Sequence, residues 1–361
     1  MKIVVLTADE NNGGIKQFTF QILRTLLDIG HEAVLFIPDI KSIKIPEDCI
    51  KNVVRYRKQK DILGITPAII GVAKQINGIE PDRVFLTDDS MYSIQIIRHL
   101  KKNINILMTM HDITSHPAKI SLKRRILRFI STKIYRKIAF NRVNSLVALS
   151  DNSKNRLITL YPTIASKIIV VKLGAHPPVI SEETNPFEID KNECARFVLF
   201  FGRIQKYKGV LRAINAFNAV TNKQNFKLVI AGTGSFSQEE KNSLNNSESI
   251  IVINRFIKDE EMIWLLKNAS FVVLPYIEAS QSGVIPLAYH VGTPVIASNI
   301  DGIREFVNEE TGLLFDNDDE LTKIFENICS GSLNANKYAS KCKEYEKLNL
   351  DWKNNLIKAI K

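Results

Sequence analysis

Between Phe271 and Val295 the chain reads FVVLPYIEASQSGVIPLAYHVGTPV, and its chemistry lies in the polar run Glu278-Ala279-Ser280-Gln281-Ser282-Gly283. The apolar run Phe271–Leu274 predicts a buried parallel strand, Pro275 stops it, and a helix is predicted from Val284 through Pro286 to Tyr289. Small residues between a strand end and a helix start leave backbone N–H groups open, here those of Ser282, Gly283 and Val284. They lie at the positive end of the helix dipole, which suits an anion and above all a phosphate. Arg203 and Lys208 share a second polar loop, Gly202–Lys208, behind another predicted strand. A guanidinium fork and a mobile ammonium both bind phosphate oxygens; two solvated charges are the plainer alternative, and Lys206 is read as solvated.

Other candidates are single residues. His111 ends the predicted strand Ile104–Met110 beside Asp112, where a ligand-facing, a capping or a core histidine would each fit. Histidines 31, 99, 116, 176 and 290 are read as structural. Gly13 and Gly14 let a backbone approach a ligand at a helix start, or simply make a tight turn. Glu278 and Gln281 could meet hydroxyl groups, because an amide both donates and accepts. Glu305 follows the Asp301-Gly302 turn, read as another helix start. Arg255-Phe256 could frame a planar ring, although an aromatic beside a strand is usually core. Asp88-Asp89 has the look of a metal pair, but with no second ligand cluster helix capping is the better reading.

These residues need a scaffold of alternating elements. Lys2–Leu6, His31–Ile37, Arg83–Leu86, Ile104–Met110, Leu146–Leu149 and Ile168–Val171 are predicted strands. Helices are expected over Ile15–Ile29, 66–77, near 91–101, and after Ser150, which can cap. Residues 177–195 read as a linker, after which the pattern restarts with Phe197–Phe201, Val210–Val220, Phe226–Ala231, Ile250–Asn254 and Asp259–Leu266. The last segment, Ala335–Ile360, is predicted as one helix with Trp352 near its end. Two successive βα arrays imply two doubly wound sheets facing each other across a cleft.

At 361 residues the chain is long enough for two domains, and 45% apolar with 24% charged residues is a globular composition. No apolar run predicts a leader or a membrane span, and four scattered cysteines without a CxxC pair suit a reducing, cytoplasmic setting. The net charge of +11 is uneven: residues 1–178 hold 28 Lys and Arg against 14 Asp and Glu, residues 179–361 hold 21 against 24. Much of the excess lies in 119–142, where Lys119, Lys123, Arg124, Arg125, Arg128, Lys133, Arg136 and Lys137 alternate with apolar residues at helical spacing. That pattern fits an amphipathic helix on an anionic membrane surface, or equally a domain helix with a solvated basic rim. Nucleic acid is disfavoured, because the basic segment lacks the interleaved aromatics of single-strand platforms. A dinucleotide site is disfavoured too, since the first turn is not GxGxxG.

The order and spacing of Asn12-Gly13-Gly14, His111-Asp112, Phe201-Gly202-Arg203 with Lys208-Gly209, Ala231-Gly232-Thr233-Gly234, Arg255-Phe256 with Asp259-Glu260, Gly292-Thr293-Pro294 and Thr311-Gly312-Leu313-Leu314 resembles GT-B retaining glycosyltransferases of family 4. The resemblance implies a domain 1–178 for the acceptor, a domain 179–344 for a nucleotide-sugar donor, and a last helix (345–361) crossing back to the first. It implies transfer with retention from a UDP- or GDP-linked sugar to a glycan or lipid-linked acceptor, in cell-surface polysaccharide biosynthesis. Neither metal nor cofactor is called for. His111, Arg203, Lys208 and Glu278 become the catalytic candidates. Gly14, Arg255, Phe256, Ser280, Gln281, Ser282, Gly283, Val284 and Glu305 become the donor contacts. The sequence departs from the family where two glutamates are usual: aligned on Gly292-Thr293-Pro294, those places hold Ala279 and Leu287. Ala-Ser-Gln-Ser-Gly-Val is similar to a subfamily variant, and a catalytically silent nucleotide-sugar-binding partner is the alternative. The expected location is the cytoplasm or the inner face of its membrane.

Overall fold

The computed structural model describes residues 1–10, 14–59, 66–111, 134–175, 177–178, 180–187, 196–245 and 247–360. The chain forms two compact units, Met1–Lys172 with Trp352–Lys361, and Leu173–Asp351.

The first unit is built on seven parallel strands: β1 (Lys2–Leu6), β2 (Glu32–Pro38), β3 (Val53–Tyr56), β4 (Arg83–Leu86), β5 (Asn105–Met110), β6 (Ser145–Ala148) and β7 (Ile168–Val170), in the order β3-β2-β1-β4-β5-β6-β7. Central strands covered on both faces read as unbroken apolar runs, and Ile3–Leu6 is buried throughout. The helices are α1 (Gly14–Asp28), α2 (Pro67–Ile79), α3 (Met91–Ile97), α4 (134–142) and α5 (Asp151–Leu160). Ser90 and Ser150 cap α3 and α5, each accepting the amide of the residue three places on. Only the end of the basic segment 119–142 falls within the described residues. There Arg136 pairs with half-buried Asp89 at 3.3 Å instead of lying on a solvated rim, and Ile134 is exposed.

The second unit has six parallel strands: β8 (Arg196–Phe201), β9 (Phe226–Ala231), β10 (Ile250–Ile253), β11 (Phe271–Leu274), β12 (Val295–Ser298) and β13 (Gly312–Phe315), ordered β10-β9-β8-β11-β12-β13. They alternate with α6 (Val210–Ala219), α7 (Gln238–Asn245), α8 (Asp259–Asn268), α9 (Val284–Val291), α10 (Asp318–Ser330) and α11 (Asn336–Asn349). The chain-order reversal falls between β8 and β11, and the corresponding point in the first unit between β1 and β4. Open α/β sheets take their ligands at such points, outside the carboxyl ends of the strands. Among the described residues no helix is long and apolar enough to cross a membrane.

The expected single terminal helix is two. Leu350 leaves the helical region (φ −118°, ψ 12°), α11 stays in the second unit, and α12 (Trp352–Ile360) belongs to the first. Trp352 is almost fully buried there, its ring 5.4 Å from that of Phe18 on α1. Truncating a buried tryptophan removes about 3–5 kcal/mol. Trp352→Ala is therefore expected to bring forward the first unit's denaturation, followed by its tyrosine signals, while the second unit's transition, followed by Trp264, stays in place; equal shifts of both would contradict it.

Candidate active site

The carboxyl edge of the second sheet brings the predicted cations and the predicted polar loop together. Past β8 the chain turns through Gly202 into a single 3-10 turn, Lys206–Lys208, and Gly209 (φ +66°) starts α6. Past β11 comes Pro275, then the fully buried Tyr276. The two loops touch directly: the Ile277 amide donates to the Tyr207 carbonyl at 2.8 Å. A Cβ on Gly209 would lie 1.9 Å from the Pro275 carbonyl oxygen, so only glycine allows the approach.

Lys208 extends its ammonium to 3.8 Å from the centre of the Tyr276 ring. The Tyr276 hydroxyl lies 3.3 Å from Ser282 Oγ, which places the cation and the start of α9 on one buried phenol. Burial pushes that phenol up to about 12. Burial also brings the Lys208 ammonium down to about 8; Tyr207 opposes the shift and the like charge of Arg203 adds to it. Among the described residues neither Lys208 nor the exposed Arg203 has an acidic partner. Among the described residues two cations without counterions thus stand near a helix start, an arrangement that suits an anion.

The helix start itself offers fewer donors than expected. The Val284 amide donates to Ser282 Oγ at 3.3 Å, and Pro286 has no N–H to give. Gly283 is the N-cap and supplies no capping side chain, and among the described residues neither its amide nor that of Ser282 donates a hydrogen bond. Ser280 and Gln281 are half-buried, and Glu278 is exposed. Gln281 Oε1 is buried without a hydrogen-bond partner among the described residues. Gly302 packs against this loop so closely that a Cβ there would sit 2.0 Å from the Ala279 carbonyl oxygen. Glu305 is thereby near the loop, but it lies in a three-residue 3-10 turn, Arg304–Phe306, and not at the start of a helix. Its carbonyl accepts the Tyr345 hydroxyl at 3.3 Å.

Arg255 behaves differently from a ring-framing residue. Both terminal nitrogens reach the carboxylate of Glu261 at 2.7 Å, clamping the loop to the first turn of α8. Phe256 is not core: it is 76% exposed, and it is the member of the pair open to a ligand. Nearby, Asn254 holds Gly234 through both its amide nitrogen (3.1 Å) and its oxygen (3.2 Å).

In the first unit the three residues after β1, Thr7, Ala8 and Asp9, are each held. Tyr56 Oη donates to the Thr7 carbonyl at 2.7 Å, Lys58 Nζ to that of Ala8 at 2.9 Å, and Lys16 Nζ to that of Asp9 at 2.8 Å. Asp88 accepts from Thr7 Oγ1 and the Ala8 amide, and also from Ser90 and Ser93 at the start of α3. Asp88 is thus a capping and tethering residue, and Asp89 an ion-pair partner of Arg136 whose carboxyl burial pushes up. Among the described residues no group of three or more His, Cys, Asp or Glu could hold a metal. His111 is half-buried, with Nε2 2.8 Å from the Thr87 carbonyl and its ring edge-on to Phe18 at 5.0 Å. A carbonyl only accepts, so Nε2 carries the proton and Nδ1 of the neutral ring is left as an acceptor. Gly14 opens α1, and a Cβ there would meet nothing within 4 Å. Gly13, Asp112 and His116 lie outside the described residues.

Against known proteins, the family model of Glycosyltransferase Family 4 matches residues 12–177, and that of Glycosyl transferases group 1 matches residues 195–330. The chain is a GT-B, glycosyltransferase family 4-like protein. The structure of Anabaena HepE in complex with UDP and glucose superposes on this family 4-like chain with a TM-score of 0.75 at 17% identity, covering 100% of this chain and 99% of that one. The glycosyltransferase of Rickettsia africae gives 0.72 at 18%, covering 99% and 97%. At these identities the likeness shows the fold. In sequence the chain is 26% identical over 233 residues to the capsular polysaccharide biosynthesis glycosyltransferase CapM of Staphylococcus aureus, covering 57% of this chain and 59% of CapM. It is 26% identical over 176 residues to an uncharacterized glycosyltransferase of Methanocaldococcus jannaschii, covering 46% and 45%. The chain thus spans about half the length of the sequence relatives it matches.

Sequence reasoning missed four residues, Tyr276 and Asn254 in the second unit and Lys16 and Thr19 in the first. Tyr276 sits one place past the strand-ending proline, where a buried ring under the cation is the natural floor. Lys16 and Thr19 occupy the inward stripe of α1 with Phe20, Leu23 and Leu26, and polar residues in an apolar stripe are the signal that was available. Asn254 carries no such mark. Because Gly209 has no room for a methyl group, Gly209→Ala is expected to lower stability by roughly 2 kcal/mol or more and to weaken anion binding at Lys208. Denaturant titration and phosphate-analogue binding check both, and a variant with unchanged values would remove the contact from the account.

Proposed function

We propose that the chain is a glycosyltransferase (a transferase of class EC 2.4) that moves a sugar from a UDP- or GDP-linked donor to a glycan or lipid-linked acceptor with retention, in cell-surface polysaccharide biosynthesis. The carrying observation is Lys208, 3.8 Å over Tyr276 and near Arg203, both without an acidic partner among the described residues, together with the helix start at Ser282 and Gly283. Breaking a sugar–diphosphate bond leaves charge on the outer phosphate, and fixed donors aimed at that charge lower the barrier. Arg203 supplies a fork, Lys208 a point charge and the helix start two dipoles. Phe256 offers a face for the base, Glu305 a contact for the ribose, and Glu278, Ser280 and Gln281 contacts for the sugar's hydroxyls. Anabaena HepE, of the same fold, in complex with UDP and glucose, supports this reading, as does the likeness to CapM. Acceptor handling falls to the first unit, with His111 assisting by hydrogen bonding through a ring already oriented by Thr87. We place the protein in the cytoplasm or on the inner membrane face, with 119–142 as the anionic-surface contact. Co-sedimentation with anionic vesicles that salt abolishes is the expected sign.

A thermal-shift panel of UDP- and GDP-sugars tests the donor, because a ligand that binds only the folded state raises the melting temperature. No shift with any of them would sink the reading. Arg203→Gln and Lys208→Gln are each expected to lower kcat/KM by about 10²–10³ without changing the circular dichroism. Because the usual acidic places hold Ala279 and Leu287, binding with neither transfer nor hydrolysis would instead identify a silent partner.

The lowered ammonium gives a pH signature. Lys208 must be charged to hold a diphosphate, so UDP affinity is full below about 8 and declines as the pH rises through that value. The bound anion draws the value up again, so binding above it takes up a proton. Each further pH unit should weaken binding by up to about tenfold. Titration calorimetry at several pH values follows this, Lys208→Arg should flatten the profile, and a flat wild-type profile would exclude Lys208 as the anion's partner.

A further inference from the structure

We propose that the amino edge of the second sheet carries a separate site for a small anionic polyol, a sugar phosphate or a sugar acid. A cavity of about 440 Å³ opens where β8, β9, β11 and β12 begin, touched by Arg196, Phe226, Ser270 and Pro294. That volume lies within the roughly 300–1,000 Å³ of small-molecule pockets. The anion site at Lys208 lies at the other end of the same strands, so the two are separated by the length of the sheet.

The wall chemistry selects the ligand. None of the residues touching the cavity is an aspartate or glutamate, whereas Arg196 and Lys267 both are cations. Arg196 is exposed; its guanidinium lies 4.2 Å over the Phe226 ring, with no ion pair or hydrogen bond among the described residues. Lys267 is shared with Glu183 outside the wall, so Arg196 is the free charge. Stacked on the ring, the guanidinium is oriented with its fork unfilled, the form in which arginine takes a phosphate or carboxylate. The same cavity receives the C-terminal ends of α8, α9 and α10 at Ala269, Gly292 and Gly331; their carbonyls not already bonded are acceptors, with a partial negative charge that Arg196 and Lys267 offset. The Asn268 side chain already donates to the Trp264 carbonyl and that of Asn334 accepts from the Asn336 amide, which leaves the Asn268 oxygen and the Asn334 amide nitrogen for a ligand. One anionic group for the arginine and several hydroxyl donors for the carbonyls describe a phosphorylated or carboxylated sugar. A bare anion would leave the acceptors unused, and a neutral sugar the guanidinium.

Titration calorimetry on the full chain tests this with glucose 6-phosphate, glucuronate, glucose and inorganic phosphate as probes. Glucose 6-phosphate or glucuronate is expected to bind, glucose not, and inorganic phosphate more weakly. Arg196→Gln should weaken binding by about tenfold or more, and Ala339→Phe, which fills the cavity from α11, should abolish it. Lys208→Gln should leave it unchanged. The proposal is overturned if neither anionic sugar binds at concentrations up to roughly 10 mM, if binding survives Arg196→Gln, or if Lys208→Gln removes it. Phosphate binding as tightly as glucose 6-phosphate would overturn the polyol assignment. All arms read independently of whether the chain turns over a nucleotide sugar.

Discussion

A protonated amine pressed against a buried phenol, with no carboxylate to answer it, is the constraint on which the second unit is organised. A cation over a ring recovers about 0.5–2 kcal/mol, less than the hydration an ammonium gives up on burial. The fold keeps Lys208 in that position because the surroundings leave it no other: Gly209 is locked against Pro275, and Tyr207 against Ile277. The lowered ammonium is the mark of this imbalance, and an arriving anion relieves it. Ser282, joined to the same phenol, ties the helix start to the cation, so both donors keep their places before a ligand comes.

The first unit solves the same edge in the opposite way. Its loop after β1 is surrounded by Tyr56, Lys58, Lys16 and Asp88, and each of its carbonyls from Thr7 to Asp9 already has a donor. Burial lowers the Lys16 ammonium too, but the carboxylates of Asp9 and Asp88 oppose the shift. One edge is internally satisfied and serves as a rigid frame for His111 and Gly14. The other is left electrostatically open. Two sheets of one topology therefore divide the labour between holding shape and holding charge.

The strands were legible wherever both faces are covered, because such runs are apolar without interruption: Lys2–Leu6, Arg83–Leu86, Phe226–Ala231 and Phe271–Leu274 have the bounds read from the sequence. Val53–Tyr56 was missed, being a four-residue edge strand with an arginine in it, and the polar α7 offered too weak a stripe. Local pattern carried helical periodicity straight through Leu350, where a change of partner, not of propensity, breaks the helix. The site was legible in its charges and glycines, since Arg203, Lys208 and the Ser282-Gly283 turn are placed by loop chemistry alone. What stayed hidden depends on partners distant in sequence: Glu261 claiming Arg255, Ser282 claiming the Val284 amide, and Tyr276 lying under Lys208.

The placement of Trp352–Ile360 bears on biogenesis. During synthesis the seven-stranded sheet emerges first, yet the helix that packs beside Phe18 is made only after the whole six-stranded sheet has been translated. Until then the part of α1 beside Phe18 that α12 covers has no cover on the nascent chain. A chaperone that shields that face would be competing with the protein's own C-terminal segment for it.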